Sequence, residues 1–243
     1  MPSVTKISIV IPARNEEEHI RSVVSQFTAV ACPVGLEVIV ANDGSTDRTE
    51  EHATAAGARV ITADNPMRTI ARVRNQGARF ATGDVIVFCD ADTRLSNVRR
   101  LYRLIEREFT DRRVIGAMPR IEVFPEDRKL RDTLFHSLYN WIIRASFLFP
   151  QPFGSGQCQI VRGAAFRRVG GYNERQVHGE DAALFAALRR AGRIRYMSGV
   201  SVYESPRRYR EIGYIRLMVV SLSSLLGQAM TNRNVLTEWR RVG

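Results

Sequence analysis

Four apolar runs, each separated from the next by a segment of helical period, dominate the first half of the chain. They are "ISIVIP" (Ile7 to Pro12), "LEVIVA" (Leu36 to Ala41), "ARVIT" (Ala58 to Thr62) and "VIVFCD" (Val85 to Asp90). They are continuous rather than alternating, which marks strands covered on both faces. Between the first two, Ile20, Val23, Val24 and Phe27 fall on one helical stripe. A short helix ends at Gly57, a third runs through Ile70, Val73, Gly77 and Phe80, and a fourth turns Val98, Leu101, Leu104 and Ile105 inward. Strands alternating with helices at this spacing predict an α/β fold: a mostly parallel central sheet flanked by helices.

Local signals punctuate this pattern. Asn15 with Glu18, and Asp47 with Glu50, have the spacing of capping boxes. Asn97 stands where a helix cap is needed, and Gly57 and Gly83 where helices stop. The second half is less regular. "RVIGAMPRIEVF" reads as one or two strands, residues 130 to 149 as an aromatic-rich helix, and "GQCQIVR" as a strand. "AAFRRVGG" reads as a short helix, "EDAALFAALRRAG" as a longer one ending at Gly192, and "RIRYM" and "VSVYE" as separate strands. With no linker and no repeat, residues 1–210 are expected to form one domain, with a helical extension over 211–243.

Ligands of open parallel sheets bind beyond the carboxyl ends of the strands. Three such ends are polar here: "PARNEE", "NDGSTD" and "DADT". In Asp90-Ala91-Asp92 the two carboxylates are two residues apart and share a side in an extended segment. That arrangement suits a hard cation such as Mg2+ or Mn2+, and equally an Asp-rich turn capping the next helix. "GEDAAL" puts Glu180 and Asp181 at a helix start, as caps or as a proton-accepting group. The helix N-terminus is expected to lower the pKa of whichever of the two accepts the proton. No Gly-rich phosphate loop is present, which argues against dinucleotide and ATP chemistry.

The net charge of +11 admits nucleic acid, an anionic membrane surface or phosphorylated ligands as partners. The basic residues are dispersed and form no nucleic-acid motif, so no nucleic-acid partner is expected. Cys32, Cys89 and Cys158 lack metal-ligand spacing and read as reduced thiols of a cytoplasmic protein. No signal peptide opens the chain. The late apolar run Leu217 to Met230 is shorter than a spanning helix and contains Ser and Gln.

The ordered set "IPARNEE", "NDGSTD", "RNQGARFATGDVIVFCDAD", "GGYNE" and "GEDAAL" resembles family 2 of the nucleotide-sugar glycosyltransferases, with the glycosyltransferase A fold. The resemblance covers Ile7 to Tyr209. It implies a single glycosyltransferase A domain whose nucleotide-binding half spans about 1–95 and acceptor half about 96–210. The implied reaction is inverting transfer of a sugar from a nucleoside diphosphate to an acceptor hydroxyl, glycan or lipid-linked. Pro12, Ala13, Arg14 and Glu16 would line the nucleotide, and Asp43 would contact the base. Arg74 would lie near the nucleotide and Asp90 near ribose and metal. Asp92 would be the direct metal ligand, and Asp181 the general base.

Gln157, in the Gly154 and Gly156 loop, and Glu180 would lie on the acceptor side. Arg207 and Arg208 would neutralise the diphosphate. "SPRRY" is a loose match to the Gln-x-x-Arg-Trp motif of processive members, with Ser205 for Gln and Tyr209 for Trp. Asn42 stands where the family has a second acid. His178 precedes the catalytic pair but is not assigned to the metal. A sugar-nucleotide-binding scaffold without turnover, in an envelope-polysaccharide complex, is the rival reading. The basic charge and the apolar segments near residues 135–149 and 215–230 suit peripheral association with the inner face of a membrane, or a homodimer contact.

Overall fold

The computed structural model describes residues 4–63, 69–176 and 179–214. His178 and the run 217–230 therefore lie outside the described residues. The elements in chain order are β1 (Lys6–Ala13), α1 (Ile20–Thr28), β2 (Gly35–Asn42), α2 (Thr49–Ala55), β3 (Arg59–Thr62), α3 (Ile70–Arg79), β4 (Val85–Cys89) and β5 (Arg94–Leu95). There follow α4 (Val98–Glu108), β6 (Val114–Val123), α5 (Leu130–Ser146), β7 (Cys158–Arg162), α6 (Gly163–Arg168), α7 (Glu180–Ala191), β8 (Arg193–Glu204) and α8 (Arg207–Ile212).

The strands form one sheet in the order β3-β2-β1-β4-β7-β6-β8-β5. β1 pairs in parallel with both β2 and β4, and β2 with β3. β7 runs antiparallel between β4 and β6, which reverses the direction once and then restores it. β8 lies parallel to β6, and the short β5 runs against β8. The sheet is thus mostly parallel, with β7 and β5 opposed, and the carboxyl ends of β1, β2 and β4 meet at one edge.

β1 is buried on both sides from Ile7 to Ala13, the consequence of its continuous apolar run. One face receives α3 at short range. A Cβ on Gly77 would come within 2.5 Å of Val10 Cγ1, so the missing side chain sets how closely helix and strand approach. The stripe of α3 is shifted from its expected one. Ile70 and Phe80 are exposed, and Ala71, Val73, Arg74, Asn75, Gly77 and Ala78 face inward. The α1 stripe, Ile20 to Phe27, is buried as expected. In α4, Tyr102 joins Val98, Leu101 and Ile105 inside, and Leu104 is half-buried.

Three local expectations are corrected. Asn15 does not cap α1, which starts at Ile20; Asn15 takes a φ of 53°, and its Oδ1 accepts from Thr46 N at 2.9 Å. Asp47 accepts from Thr49 N at 3.0 Å, but Glu50 does not complete a box, because it accepts from Asn42 Nδ2 at 3.3 Å. "RIRYM" and "VSVYE" are one strand, β8. The register against β6 jumps from Pro119–Met197 to Arg120–Ser201, so the break is a bulge carried by the long partner strand. The Asn97 cap is present, accepting from Arg100 N at 2.8 Å.

Candidate active site

Residues from five elements meet beyond the carboxyl ends of β1, β2 and β4. The turn after β2 is built by its own side chains. Asn42 is buried, with Oδ1 accepting from Ser45 N at 3.0 Å and Nδ2 donating to Glu50. Its amide is spent inside the turn, so the departure from a second acid serves loop geometry. The turn is tied to the one after β1. Asn15 N donates to Ser45 Oγ at 3.0 Å, Glu16 N to Thr49 Oγ1 at 2.8 Å, and Glu17 N to Asp47 Oδ2 at 3.1 Å. Arg14 reaches Asp43 across 3.7 Å. Pro12 and Ala13 are buried in register with Ala41 and Asn42, and so form a wall behind these polar groups.

Arg74 is the centre of the site. It is 2% exposed and comes from the inward face of α3. Its Nη2 donates to Asp90 Oδ1 at 2.8 Å and to Gly156 O at 3.2 Å. Its Nη1 donates to Asp181 Oδ1 at 2.9 Å and Glu180 Oε1 at 3.1 Å. The guanidinium also lies 5.4 Å from the Tyr172 ring centroid. Burial opposes its charge, but the facing carboxylates outweigh burial and hold it protonated. One side chain therefore joins the end of β4 to the start of α7.

Glu180 and Asp181 start α7 after Gly179, whose φ of 74° turns the chain sharply into the helix. The expectation of a lowered Asp181 pKa is overturned. Burial raises it, Asp90 adds to the rise, and Arg74 only partly offsets both. Glu180 is likewise raised, by burial first and then by Asp181. Desolvation in this packed corner exceeds the favourable effect of the helix N-terminus.

The carboxylates beyond β1 and β4 lie close enough to raise one another's pKa. Asp92 keeps solvent contact, yet its pKa is pushed up by the protein around it and then by Asp90. Glu16 is raised by burial, with Asp92 the next cause. Two groups absent from the sequence reading act here. His19 lowers the pKa of both Glu16 and Asp92, and Glu204 raises that of Asp92. Glu204 ends β8, so the strand-end rule applied to the second half of the chain would have found it. His19 carries no such signal, lying on the approach to α1.

Gln157 contributes twice. Its carbonyl accepts from Asp90 N at 3.2 Å, and its Nε2 donates to Glu204 at 2.5 Å. Its side chain therefore faces Glu204, which also receives a hydrogen bond from Tyr209 and lies 3.4 Å from His136 Nε2. Arg207 and Arg208 open α8 just beyond, with Arg207 N donating to Ser205 Oγ at 3.3 Å. Among the described residues, no group of three or more His, Cys, Asp or Glu side chains is arranged as a ready metal cage.

The model of the family described as "Glycosyl transferase family 2" matches residues 8–170, more than half of the chain. The chain belongs to glycosyl transferase family 2. Among curated proteins, this family 2 chain is 37% identical over 92 residues to glucosyl-3-phosphoglycerate synthase of Mycolicibacterium smegmatis, covering 35% of this chain and 30% of that protein. It is 30% identical over 203 residues to pre-mycofactocin glycosyltransferase of Mycobacterium tuberculosis, covering 80% and 42%. The family 2 chain spans less than half the length of the curated relatives it matches.

Among solved structures, the mannosyltransferase of Pyrobaculum calidifontis, in complex with GDP-Man and Mn2+, superposes with a TM-score of 0.67 at 19% identity. That match covers 91% of this chain and 62% of the other. Glucosyl-3-phosphoglycerate synthase of Mycobacterium tuberculosis, with Mn2+, UDP and glucosyl-3-phosphoglycerate, superposes with a TM-score of 0.60 at 21% identity, covering 92% and 80%. At these identities the likeness establishes the glycosyltransferase A fold of the family 2 chain.

Proposed function

We propose that this protein is an inverting glycosyltransferase that moves a sugar from a nucleoside diphosphate to an acceptor hydroxyl, with Asp181 as general base. The observation that carries the reading is the single Arg74 guanidinium bridging Asp90 at the donor edge and Asp181 at the start of α7. It sets the proton acceptor beside the place where the donor's anomeric carbon would lie. Asp181 accepts the acceptor's proton while the acceptor oxygen forms its bond to that carbon. The bond from the carbon to the diphosphate breaks on the opposite side, and the diphosphate leaves with the electron pair. One displacement from one side inverts the configuration.

Arg14, Glu16 and Asp43 line the nucleotide in this reading, with Pro12 and Ala13 as the wall. Asp92 and Asp90 would hold Mg2+ or Mn2+. The pKa values of Asp92 and Glu16 are raised by burial first and then by neighbouring carboxylates, and a cation would offset both, which supports that assignment. When bound, the metal supplies positive charge to the departing diphosphate. Mn2+ in the two structural neighbours supports the same choice. The acceptor is a glycan or lipid-linked hydroxyl, the latter reached at a membrane surface. The test is Asp181→Asn: transfer should fall about 100-fold or more while nucleotide binding persists. Unchanged transfer removes Asp181 from the mechanism.

A further inference from the structure

Helix α5 has two unlike faces. Inward, Asn140 clamps β6, accepting from Ile121 N at 2.9 Å and donating to Ile121 O at 2.7 Å. Outward, Leu130, Leu134, Leu138 and Trp141 are 76%, 63%, 49% and 67% exposed. Their spacing places them on one stripe. Just past the helix, Leu148 and Phe149 are 80% and 62% exposed. These six are among only eight large apolar side chains exposed in the described residues, so the apolar surface is concentrated here. Isolated exposed leucines need no explanation, but a continuous apolar stripe marks an interface.

The charge pattern selects the partner. The one acid between residues 130 and 149, Asp132, is fully buried and bound by Arg210 at 2.7 Å. The exposed charges on α5 and at its start are Lys129, Arg131 and Arg144; the turn before it exposes Arg128 with Glu126 and Asp127, of which Glu126 is paired with Arg94 at 2.7 Å. We propose that the outer face of α5 lies on an anionic lipid bilayer, with the leucines and Trp141 at the headgroup boundary and the basic side chains on lipid phosphates. A second copy placed on the same stripe would oppose basic rims with no acid on the helix's outer face to pair them. α5 is 17 residues long, and no described helix is long and apolar enough to cross a membrane, so the contact lies in the plane of the interface.

The placement connects to the chemistry. Tyr139, also on α5, packs its ring 5.7 Å from that of Phe153, and the next residue, Gly154, lies against the Asp181 backbone. The helix that would rest on lipid thus borders the proposed base, and a lipid-linked hydroxyl held at the headgroups would enter beside it. This inference rests on the transferase reading with a lipid-linked acceptor.

The test uses the full chain with Trp239→Phe, leaving Trp141 as the sole tryptophan. It is mixed with vesicles of phosphatidylcholine alone or with added phosphatidylglycerol. The expected result is salt-sensitive binding to the anionic vesicles and a blue shift of Trp141 emission. Leu134→Glu with Leu138→Glu should weaken that binding about tenfold or more, leaving the nucleotide-induced thermal shift intact. Undiminished vesicle binding in that variant overturns the proposal. So does a dimer, seen by light scattering, that the two glutamates dissociate. Absence of vesicle binding with Trp141 already blue-emitting in buffer also overturns it, since the face is then covered by the chain itself. Loss of the nucleotide shift in the parent protein would defeat the transferase reading separately.

Discussion

Arg74 Nη1 donates to Asp181 Oδ1 at 2.9 Å, although the two residues are 107 positions apart in the chain. The same guanidinium binds Asp90, so the position of the proposed base is set by a residue of another element, which also offsets part of the rise that burial gives its pKa.

Replacing Arg74 separates these effects. Arg74→Met leaves the buried Glu180 and its neighbours without a counter-charge, and stability should fall by about 3 kcal/mol. Asp90 and Asp181 keep some solvent, which limits the loss. Arg74→Lys keeps the charge but cannot serve all three carboxylates. It should retain most stability yet lose transfer, as thermal melts and a transfer assay on the two variants would reveal.

The raised pKa of Asp181 has a signed consequence. A general base must be deprotonated, so transfer should decline as pH falls through a value above the ordinary aspartate range. A pH profile of kcat/KM whose acid limb lies in the usual carboxylate range would contradict this assignment.

Two glycines beside Asp181 should respond differently to alanine. At Gly156 a Cβ would meet Arg74 Nη2 at 2.7 Å and Asp181 Oδ2 at 2.8 Å. Those are side-chain tips, so Gly156→Ala should displace the site more than it unfolds the protein, with transfer down about 100-fold. At Gly154 the Cβ would meet the Asp181 carbonyl oxygen at 2.5 Å. Backbone cannot yield, so Gly154→Ala should lower the melting temperature as well. Paired melts and activities distinguish the two.

Metal and nucleotide should bind together. With Mn2+, one member of a UDP, GDP, TDP and CDP panel should raise the melting temperature; at 100-fold over Kd the gain is about 2.7 kcal/mol. Asp92→Asn should remove the Mn2+-dependent part. A panel without any shift would defeat the donor site.

Acid stability offers a control far from the site. Burial works against the Glu37 carboxylate, but hydrogen bonds from Ser8, Thr82 and Lys6 outweigh it and hold its pKa at about 2. Its folded pKa is thus below the unfolded value near 4.5. The stability it adds is present above about 4.5 and lost as pH falls toward about 2. Glu37→Gln should be less stable near neutrality, with the difference closing across that window in urea melts.

The strands, most helices and the polar strand ends were legible because each rests on neighbours within a few residues. Apolar runs declare their burial, Asn97 its cap and Gly57 its positive φ of 93°. Except for Glu204, the carboxylates of the site were legible for the same reason, standing directly after strands or at a helix start. What local sequence could not carry was which of them touch. The antiparallel insertion of β7 between β4 and β6 sets Gln157 against Asp90 and Gly156 against Arg74. The fold then brings α7 onto Arg74, and β8 delivers Glu204 to the Gln157 side chain. Burial at that junction reversed the direction of the Asp181 pKa, because desolvation depends on everything packed around a group rather than on its helix alone. By itself, the sequence determined the alternation of elements and the chemical types gathered at one sheet edge. Only the tertiary structure decided that one buried arginine would hold them together and that α5 would turn its apolar stripe outward.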